Sequence, residues 1–225
     1  MGAPKQLLDL PTNPDLSFEQ NLCSPELQYI AGLDEAGRGA WAGPVSAGAV
    51  ILPVNENILR LLIGVRDSKQ MTPRQREYWA EQIKQHVLAW GTGFASHIEI
   101  DQYGILPATR LAMTRAMEQL AIQPQHLLID ALRLPLINLP QTAIIKGDRR
   151  SLSIAAASVL AKTARDNWMR QIDNEYSNYG FAIHKGYGTK QHHSALCSFG
   201  PCAIHRLSFK PLQTRLWETE ALDSD

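Results

Sequence analysis

Residues 29–52 read YIAGLDEAGRGAWAGPVSAGAVIL, two apolar segments joined by a glycine-rich link. The segments 29–33 and 45–52 are short and compatible with β-structure, so we predict two paired strands. The link opens on two adjacent acids, Asp34 and Glu35. Neighbouring carboxylates repel each other, and glycines lose much conformational entropy when a loop becomes ordered. A link of this composition is therefore expected to bind a ligand.

Outside this stretch, predicted strands and helices alternate along the chain. Thr72 followed by Pro73, with Gln75 at the third helical position, is typical of the start of a helix, here extending to about residue 88. The alanine-rich segment that Ser151 opens is long enough for five or more turns of helix. The remaining segments are predicted as strands at 91–100, 126–129 and 142–145, and as helices at 111–120 and 191–198. The interleaving predicts an α/β domain with a mixed sheet.

Length and composition limit the organisation and the compartment. The 225 residues suit one domain, which we place at 28–215, between a flexible extension at 1–27 and an acidic tail at 216–225. Three widely spaced cysteines favour reduced thiols. The sequence has no apolar run of about 18 residues and no secretory signal, so no membrane partner is expected and the predicted location is the cytoplasm.

Charge is unevenly distributed although the formal net charge is zero. Residues 146–215 carry eleven Lys and Arg against four acids, whereas residues 216–225 carry four acids and no Lys or Arg. This segregation is typical of a basic face that binds a polyanion, although an ordinary solvated surface can also be uneven.

Three predicted strands lead into acidic residues, at Asp34 with Glu35, at Asp130 and at Asp148. In α/β folds functional crevices lie at strand ends, so these acids are expected to converge. Four carboxylates repel one another unless cations neutralise them, and oxygen ligands favour Mg²⁺ or Mn²⁺ over zinc. Two such ions catalyse in-line phosphoryl displacement. The alternative is that Asp130 and Asp148 only begin loops or cap helices.

Two details of this acidic group need separate arguments. Adjacent residues of a regular strand point to opposite faces, so Glu35 either lies already in the turn or contributes its backbone carbonyl. Asp166 competes with Asp148 for the fourth position, but it lies roughly 22 Å along the predicted helix. We therefore interpret Asp166 as a structural partner for a neighbouring base.

The glycine-rich link does not have the spacing of a dinucleotide or Walker-type loop. Gly37 and Gly39 allow close backbone approach, and Arg38 offers a fork of donors to a phosphate. Such an approach can distinguish a ribose 2′-OH. Tyr187, between two glycines, is either a stacking platform for a sugar or base or a side chain packed on its own domain. The histidines and cysteines near the C-terminus do not form a complete zinc set.

An ordered set of motifs resembles ribonuclease HII, the type 2 ribonucleases H. The motifs cover about residues 30–209 and read DEAGRG with GPV at 43–45, DSK at 67–69, LLIDAL around Asp130, KGD at 146–148, SIAAASVLAKTARD, HKGYGT and HRLSF. The bulky Trp41 and a longer extension depart from the family pattern. The resemblance implies a ribonuclease H-like mixed sheet flanked by helices, with a helical C-terminal extension.

The same resemblance implies an activity and roles for ten residues. It implies cleavage of RNA in RNA–DNA hybrids and 5′ of single ribonucleotides in duplex DNA, by a monomer with two divalent cations, leaving 3′-hydroxyl and 5′-phosphate ends. By motif, Asp34, Glu35, Asp130 and Asp148 would hold the ions; Gly37, Arg38, Gly39 and Tyr187 would contact the ribonucleotide; and Lys69 and Lys146 would contact backbone phosphates. Two other hypotheses stay open, a binding module without turnover and a two-metal nuclease specific for DNA.

Overall fold

The computed structural model describes residues 10–214, which form a five-stranded mixed sheet between two layers of helices. The strands are β1 Ile30–Ala36, β2 Val45–Ile51, β3 Ala89–Ala95, β4 His126–Asp130 and β5 Gln141–Ile144. The helices are α1 Ser17–Leu22, α2 Glu56–Leu61, α3 Pro73–His86, α4 His97–Tyr103, α5 Ile105–Glu118, α6 Leu152–Ile172, α7 Phe181–His184, α8 Lys190–Phe199 and α9 Lys210–Gln213. Short 3-10 turns lie at Ser68–Gln70, Gly147–Arg149 and Ser177–Tyr179.

The sheet has the order β3-β2-β1-β4-β5. The predicted pair β1 and β2 is confirmed as antiparallel, with Asp34 opposite Gly48. Strand β3 pairs antiparallel with β2, whereas β4 and β5 continue the sheet from β1 in parallel. Because β1, β4 and β5 run in the same direction, their carboxyl ends meet at one edge of the sheet.

Helix α6 packs directly on the centre of the sheet because both surfaces carry small residues. A Cβ added at Gly32 of β1 would lie 2.2 Å from the backbone carbon of Ser153, and one at Gly48 of β2 would lie 2.3 Å from the Ala157 carbonyl oxygen. Helices α2, α3 and α6 enclose one apolar cluster against the sheet, and α5 covers the other face. The close contact fixes the start of α6 relative to the end of β1.

Local sequence signals account for most element boundaries. Thr72 and Gln75 form the expected reciprocal cap at the start of α3, which ends at His86. The strand predicted at 91–100 is wrong beyond residue 95, because Ser96 and Glu99 form a second reciprocal cap that starts α4. Such a pair satisfies two otherwise free backbone N–H groups, which favours a helix at that point.

The ends of the described chain are helical. Helices α7, α8 and α9 confirm the helical C-terminal extension. The extension at 1–27 was expected to be loosely held, but α1 packs on the domain with Leu16 and Glu19 each 1% exposed. Residues 1–9 of that extension and the acidic tail at 216–225 lie outside the described residues. Between residues 10 and 214, no helix has the length and apolarity needed to cross a membrane.

Candidate active site

The four predicted carboxylates lie at the edge where β1, β4 and β5 end. Asp34 and Glu35 belong to β1, Asp130 is the last residue of β4, and Asp148 lies in the turn after β5. The Gly147 N–H donates to Asp130 Oδ1 at 2.7 Å and so joins the β4 end to that turn. Asp34 is 3% exposed and Asp148 is 5% exposed.

Glu35 is a strand residue, paired with Ala47 of β2, so of the two alternatives that the sequence left open, the one that places it already in the turn is wrong. Alternation along a strand directs its side chain away from that of Asp34, but the charge of Glu35 still raises the pKa of Asp34, so the two carboxylates interact at the end of β1. The Glu35 side chain lines the neighbouring cleft and accepts a hydrogen bond from Arg38 Nη1 at 3.1 Å.

Burial and mutual repulsion raise the pKa values of this acidic group. Burial raises the pKa of Asp34 well above its ordinary value, and the charges of Glu35 and Asp130 raise it further. Burial also raises the pKa of Asp148 to about 6, with contributions from Asp67 and Asp130. The pKa of Asp130 is raised by burial, partly offset by the Gly147 N–H. These carboxylates therefore act on one another's ionisation and form one electrostatic group.

Lys69 is a cation beside this group, with Nζ 3.9 Å from Asp148 Oδ2. Burial lowers the pKa of Lys69, but the charges of Asp34 and Asp148 outweigh that effect, so the pKa lies above its ordinary value. Asp67 is a fifth acid, not predicted from the sequence, which hydrogen-bonds Asp148 and accepts from the Lys69 N–H at 2.9 Å. Lys69 and Arg38 together carry too little positive charge to neutralise these five carboxylates.

A cleft of about 560 Å³ adjoins the acidic group. Its lining includes the predicted residues Glu35, Gly37, Arg38, Gly39, Lys69 and Tyr187, together with Ala36, Ser68, Ile105, Lys162 and Phe209. Lys146 is exposed and does not line this cleft. Its backbone is left-handed, with φ 55°, and precedes the Gly147 N–H that binds Asp130.

The two glycines beside Arg38 have different surroundings. Gly37 has φ +93°, and an added Cβ would lie 2.0 Å from Arg165 Nε. An added Cβ at Gly39 would meet no atom within 4 Å. Gly37 is therefore required by the fold of the loop, whereas Gly39 leaves open space in the cleft.

Two buried arginines, neither predicted as a site residue, hold the loop that follows β1. Arg165 of α6 donates to the carbonyls of Pro44, Lys185 and Ala42 at 2.8, 2.9 and 3.0 Å. Arg206 donates to the carbonyls of Gly43 and Arg38, both at 2.9 Å. Within residues 10–214 no carboxylate forms an ion pair with either arginine, so their positive charge stays unneutralised behind the loop.

Tyr187 lies half-buried at the wall of the cleft. Its ring lies 5.3 Å from Lys162 Nζ and 5.3 Å from the Arg165 guanidinium carbon. Asp166 pairs with Lys162 at 2.6 Å and with Arg76 at 3.1 Å, which confirms that it is a structural partner for basic residues. The unusual Trp41 packs against Gly188, so this bulky residue joins the two cleft loops.

Buried histidines support the Tyr187 loop from behind. His192 Nδ1 donates to the Tyr187 carbonyl at 3.1 Å, which leaves Nε2 to accept from His205 Nε2 at 3.0 Å. His205 Nδ1 in turn accepts from the Cys202 N–H at 2.9 Å. Burial lowers the pKa of His192 to about 3 and that of His205 to about 4. Both rings are therefore neutral at physiological pH and bind each other by hydrogen bonds.

The side chains of the acidic group are not arranged as a preformed metal cage. Among residues 10–214, no three Asp, Glu, His or Cys side chains are placed so that they could hold one ion together. The structure instead provides a cluster of acids on one side and, on the other, a cleft backed by basic groups.

Comparison with known proteins identifies the family. The sequence matches the family described as Ribonuclease HII over residues 31–212. The chain belongs to the ribonuclease HII family. It is 50% identical over 208 residues to Ribonuclease HII of Chloroflexus aurantiacus (strain ATCC 29364 / DSM 637 / Y-400-fl), covering 92% of this chain and 98% of the relative. This family member is therefore a ribonuclease H, a hydrolase that cuts RNA within RNA–DNA hybrids.

Solved structures share the ribonuclease HII fold. Ribonuclease H2 from Pyrococcus horikoshii OT3 superposes with a TM-score of 0.69 at 24% identity, covering 85% of this chain and 99% of that one. Bst-RNase HIII in complex with Mn²⁺ superposes with a TM-score of 0.67 at 18% identity, covering 86% and 70%. These similarities confirm the predicted mixed sheet flanked by helices.

Proposed function

We propose that this ribonuclease HII family member also cuts duplex DNA on the 5′ side of a single embedded ribonucleotide. The products would carry a 3′-hydroxyl and a 5′-phosphate, and two divalent cations, Mg²⁺ or Mn²⁺, would be bound by Asp34, Glu35, Asp130 and Asp148. The observation that carries the proposal is the juxtaposition of a mutually repelling acidic group with a cleft that contains Gly39 and Tyr187.

The donor set fits hard divalent cations. All four groups are carboxylates, whose oxygens are the ligands that Mg²⁺ and Mn²⁺ prefer. Burial and repulsion raise their pKa values, so their ionised forms are disfavoured and a bound cation would offset that cost. Bst-RNase HIII, a structural neighbour, has been solved with Mn²⁺. When bound, such ions activate a water molecule and stabilise the leaving oxygen in phosphodiester hydrolysis.

The protein's own groups would position the substrate strand. Arg38, whose side chain is 43% exposed, pairs with Glu35 and can turn toward a phosphate at little cost because exposed ion pairs contribute at most about 1 kcal/mol. The unneutralised Arg165 and Arg206 make the loop attractive to the same anion. Lys69 and Lys146 would contact phosphates farther along the backbone.

Sugar recognition would depend on the open face of the cleft. The backbone at Gly39 has no side chain to keep a ribose away, so its polar groups can approach a 2′-hydroxyl. The Tyr187 ring would stack on the adjoining sugar, with the neutral histidines holding its loop in place. Because one chain carries all of these residues, we expect a monomer. The expected location is the cytoplasm.

The direct test is cleavage of a duplex DNA that carries one ribonucleotide, with and without Mg²⁺. We expect a single Mg²⁺-dependent cut on the 5′ side of the ribonucleotide and no cut in an all-DNA duplex of the same sequence. Cleavage of the all-DNA duplex would indicate a DNA nuclease, and no cleavage of either duplex would contradict the proposal.

Asp130→Asn separates catalysis from binding. The substitution preserves the shape of the side chain and an oxygen for the Gly147 N–H, but removes the charge. We expect a loss of cleavage of at least about 10³-fold, with the hybrid still bound in a gel-shift assay. Cleavage by this variant at the wild-type rate would show that Asp130 is not a metal ligand.

A further inference from the structure

Glu19 of α1 lies outside the matched family region and is 1% exposed. Its Oε1 accepts hydrogen bonds from the Ser151 hydroxyl at 2.7 Å, the Ser153 hydroxyl at 2.6 Å and the Ser153 N–H at 3.0 Å. Both serines lie at the start of α6, directly after the turn that carries Asp148. A buried carboxylate that binds three donors is a specific contact between α1 and this turn.

Two further hydrogen bonds connect Ser151 to the acidic group. The Ser151 N–H donates to the Gly147 carbonyl at 2.9 Å, and the Gly147 N–H donates to Asp130 Oδ1 at 2.7 Å. Asp148 follows Gly147 directly in the chain. The same glycine thus connects Glu19 with two of the four proposed metal ligands.

Residues in and just before α1 reinforce the same segment. The Asp15 carbonyl accepts from the Leu152 N–H at 2.8 Å, and the Asp15 N–H donates to the Arg150 carbonyl at 3.2 Å. The Arg150 guanidinium carbon lies 5.0 Å from the Phe18 ring. Every residue from 150 to 153 therefore contacts the N-terminal segment, although that segment contributes nothing to the lining of the cleft.

We propose that Glu19 is a positioning residue of the metal site: by binding Ser151 and Ser153 it holds the Gly147–Arg149 turn, and with it Asp130 and Asp148, at the edge of the sheet where divalent cations would bind. The inference rests on the proposed metal-binding function of these carboxylates. Groups that orient metal ligands change metal affinity by about 10- to 100-fold when they are removed.

The test measures metal binding without substrate. Mn²⁺ is titrated into wild type, Glu19→Ala and Glu19→Gln, and free Mn²⁺ is followed by electron paramagnetic resonance. Glu19→Ala removes the acceptor, so we expect the Kd for Mn²⁺ to rise about tenfold. Glu19→Gln keeps an oxygen at Oε1, and we expect its Kd to stay within about twofold of wild type.

Two control variants separate positioning from a general loss of stability. Ile83→Val and Ile83→Ala remove buried methyl groups on α3, away from the cleft, and bracket a range of lower Tm values. We expect both to bind Mn²⁺ as wild type does. A wild-type Kd for Glu19→Ala would overturn the inference, and so would Kd values that follow Tm across all four variants.

Cleavage of the single-ribonucleotide duplex is then measured against Mg²⁺ concentration. We expect half-maximal cleavage by Glu19→Ala to need about tenfold more Mg²⁺, with much of the rate restored at saturation. Absence of cleavage by the wild type would contradict the proposed function alone, because the Mn²⁺ titration would still report on Glu19.

Discussion

Gly37 and Gly39 offer a matched pair of substitutions in which one side chain is added on either side of Arg38. Gly37→Ala places a Cβ 2.0 Å from Arg165 Nε at a φ of +93°. The left-handed backbone costs an L-residue about 1–3 kcal/mol, and insertion into a packed site costs about 1–3 kcal/mol more. Arg165 cannot move aside freely, because it binds three carbonyls.

We therefore expect Gly37→Ala to lower the free energy of unfolding by about 2–6 kcal/mol. For a chain of this size that corresponds to a fall in Tm of roughly 5–20 °C. Gly39→Ala meets no neighbouring atom and has no positive φ, so its free energy of unfolding should be unchanged or higher by about 0.4–1 kcal/mol.

Activity should separate the two variants in the opposite sense: Gly39→Ala, which keeps its stability, is expected to lose activity. The added methyl of Gly39→Ala projects into the cleft, where a misfit of about 1–3 kcal/mol lowers kcat/KM about 5- to 150-fold. The assay is single-turnover cleavage of the single-ribonucleotide duplex beside urea unfolding at the same temperature. The reasoning is refuted if Gly39→Ala loses as much stability as Gly37→Ala, or cuts as fast as wild type.

Three further predictions follow from the site. At a pH below 3.8, the ordinary pKa of an aspartate, the Asp148 carboxyl is protonated in both folded and unfolded chains. Its raised pKa stabilises the metal-free fold there, and this contribution is lost as the pH rises through about 6. Mg²⁺ should therefore raise Tm more at pH 7.5 than at pH 5.5, and an equal rise at both would contradict the prediction. His192→Phe leaves the Tyr187 carbonyl and the His205 N–H unpaired, so urea unfolding should show a loss of about 2–4 kcal/mol, whereas a loss below 0.5 kcal/mol would exclude the hydrogen-bonded role. Arg165→Lys keeps the charge but loses part of the three-carbonyl fork, so kcat/KM should fall at least about tenfold with cleavage still confined to the ribonucleotide; wild-type kcat/KM would show that the fork is dispensable.

Local patterns predicted much of the fold. The β1–β2 pair, the Thr72 cap and α6 each depend on residues within a few positions of one another, so the sequence displays their causes directly. The strand predicted through residue 100 was wrong because the competing cap at Ser96 and Glu99 prevailed. The sequence carried that signal, a serine followed three residues later by glutamate.

The parts of the site that escaped prediction depend on distant contacts. Arg165 binds carbonyls more than 120 positions away, and Glu19 binds serines more than 130 positions away. No periodicity or spacing reports such partners, which become neighbours only when α6 crosses the sheet. The sequence left the position of Glu35 open for a related reason, because its pairing with Ala47 of the neighbouring strand extends β1 beyond the apolar run.

The central claim is that Asp34, Asp130 and Asp148 bind divalent cations beside the cleft. The most direct measurement is the anomalous signal of Mn²⁺ in crystals of this protein with duplex DNA that carries one ribonucleotide. We predict two manganese peaks about 4 Å apart, in contact with these carboxylates and with the phosphate 5′ of the ribonucleotide. Absence of manganese from these carboxylates, at a concentration that supports cleavage in solution, would contradict the account.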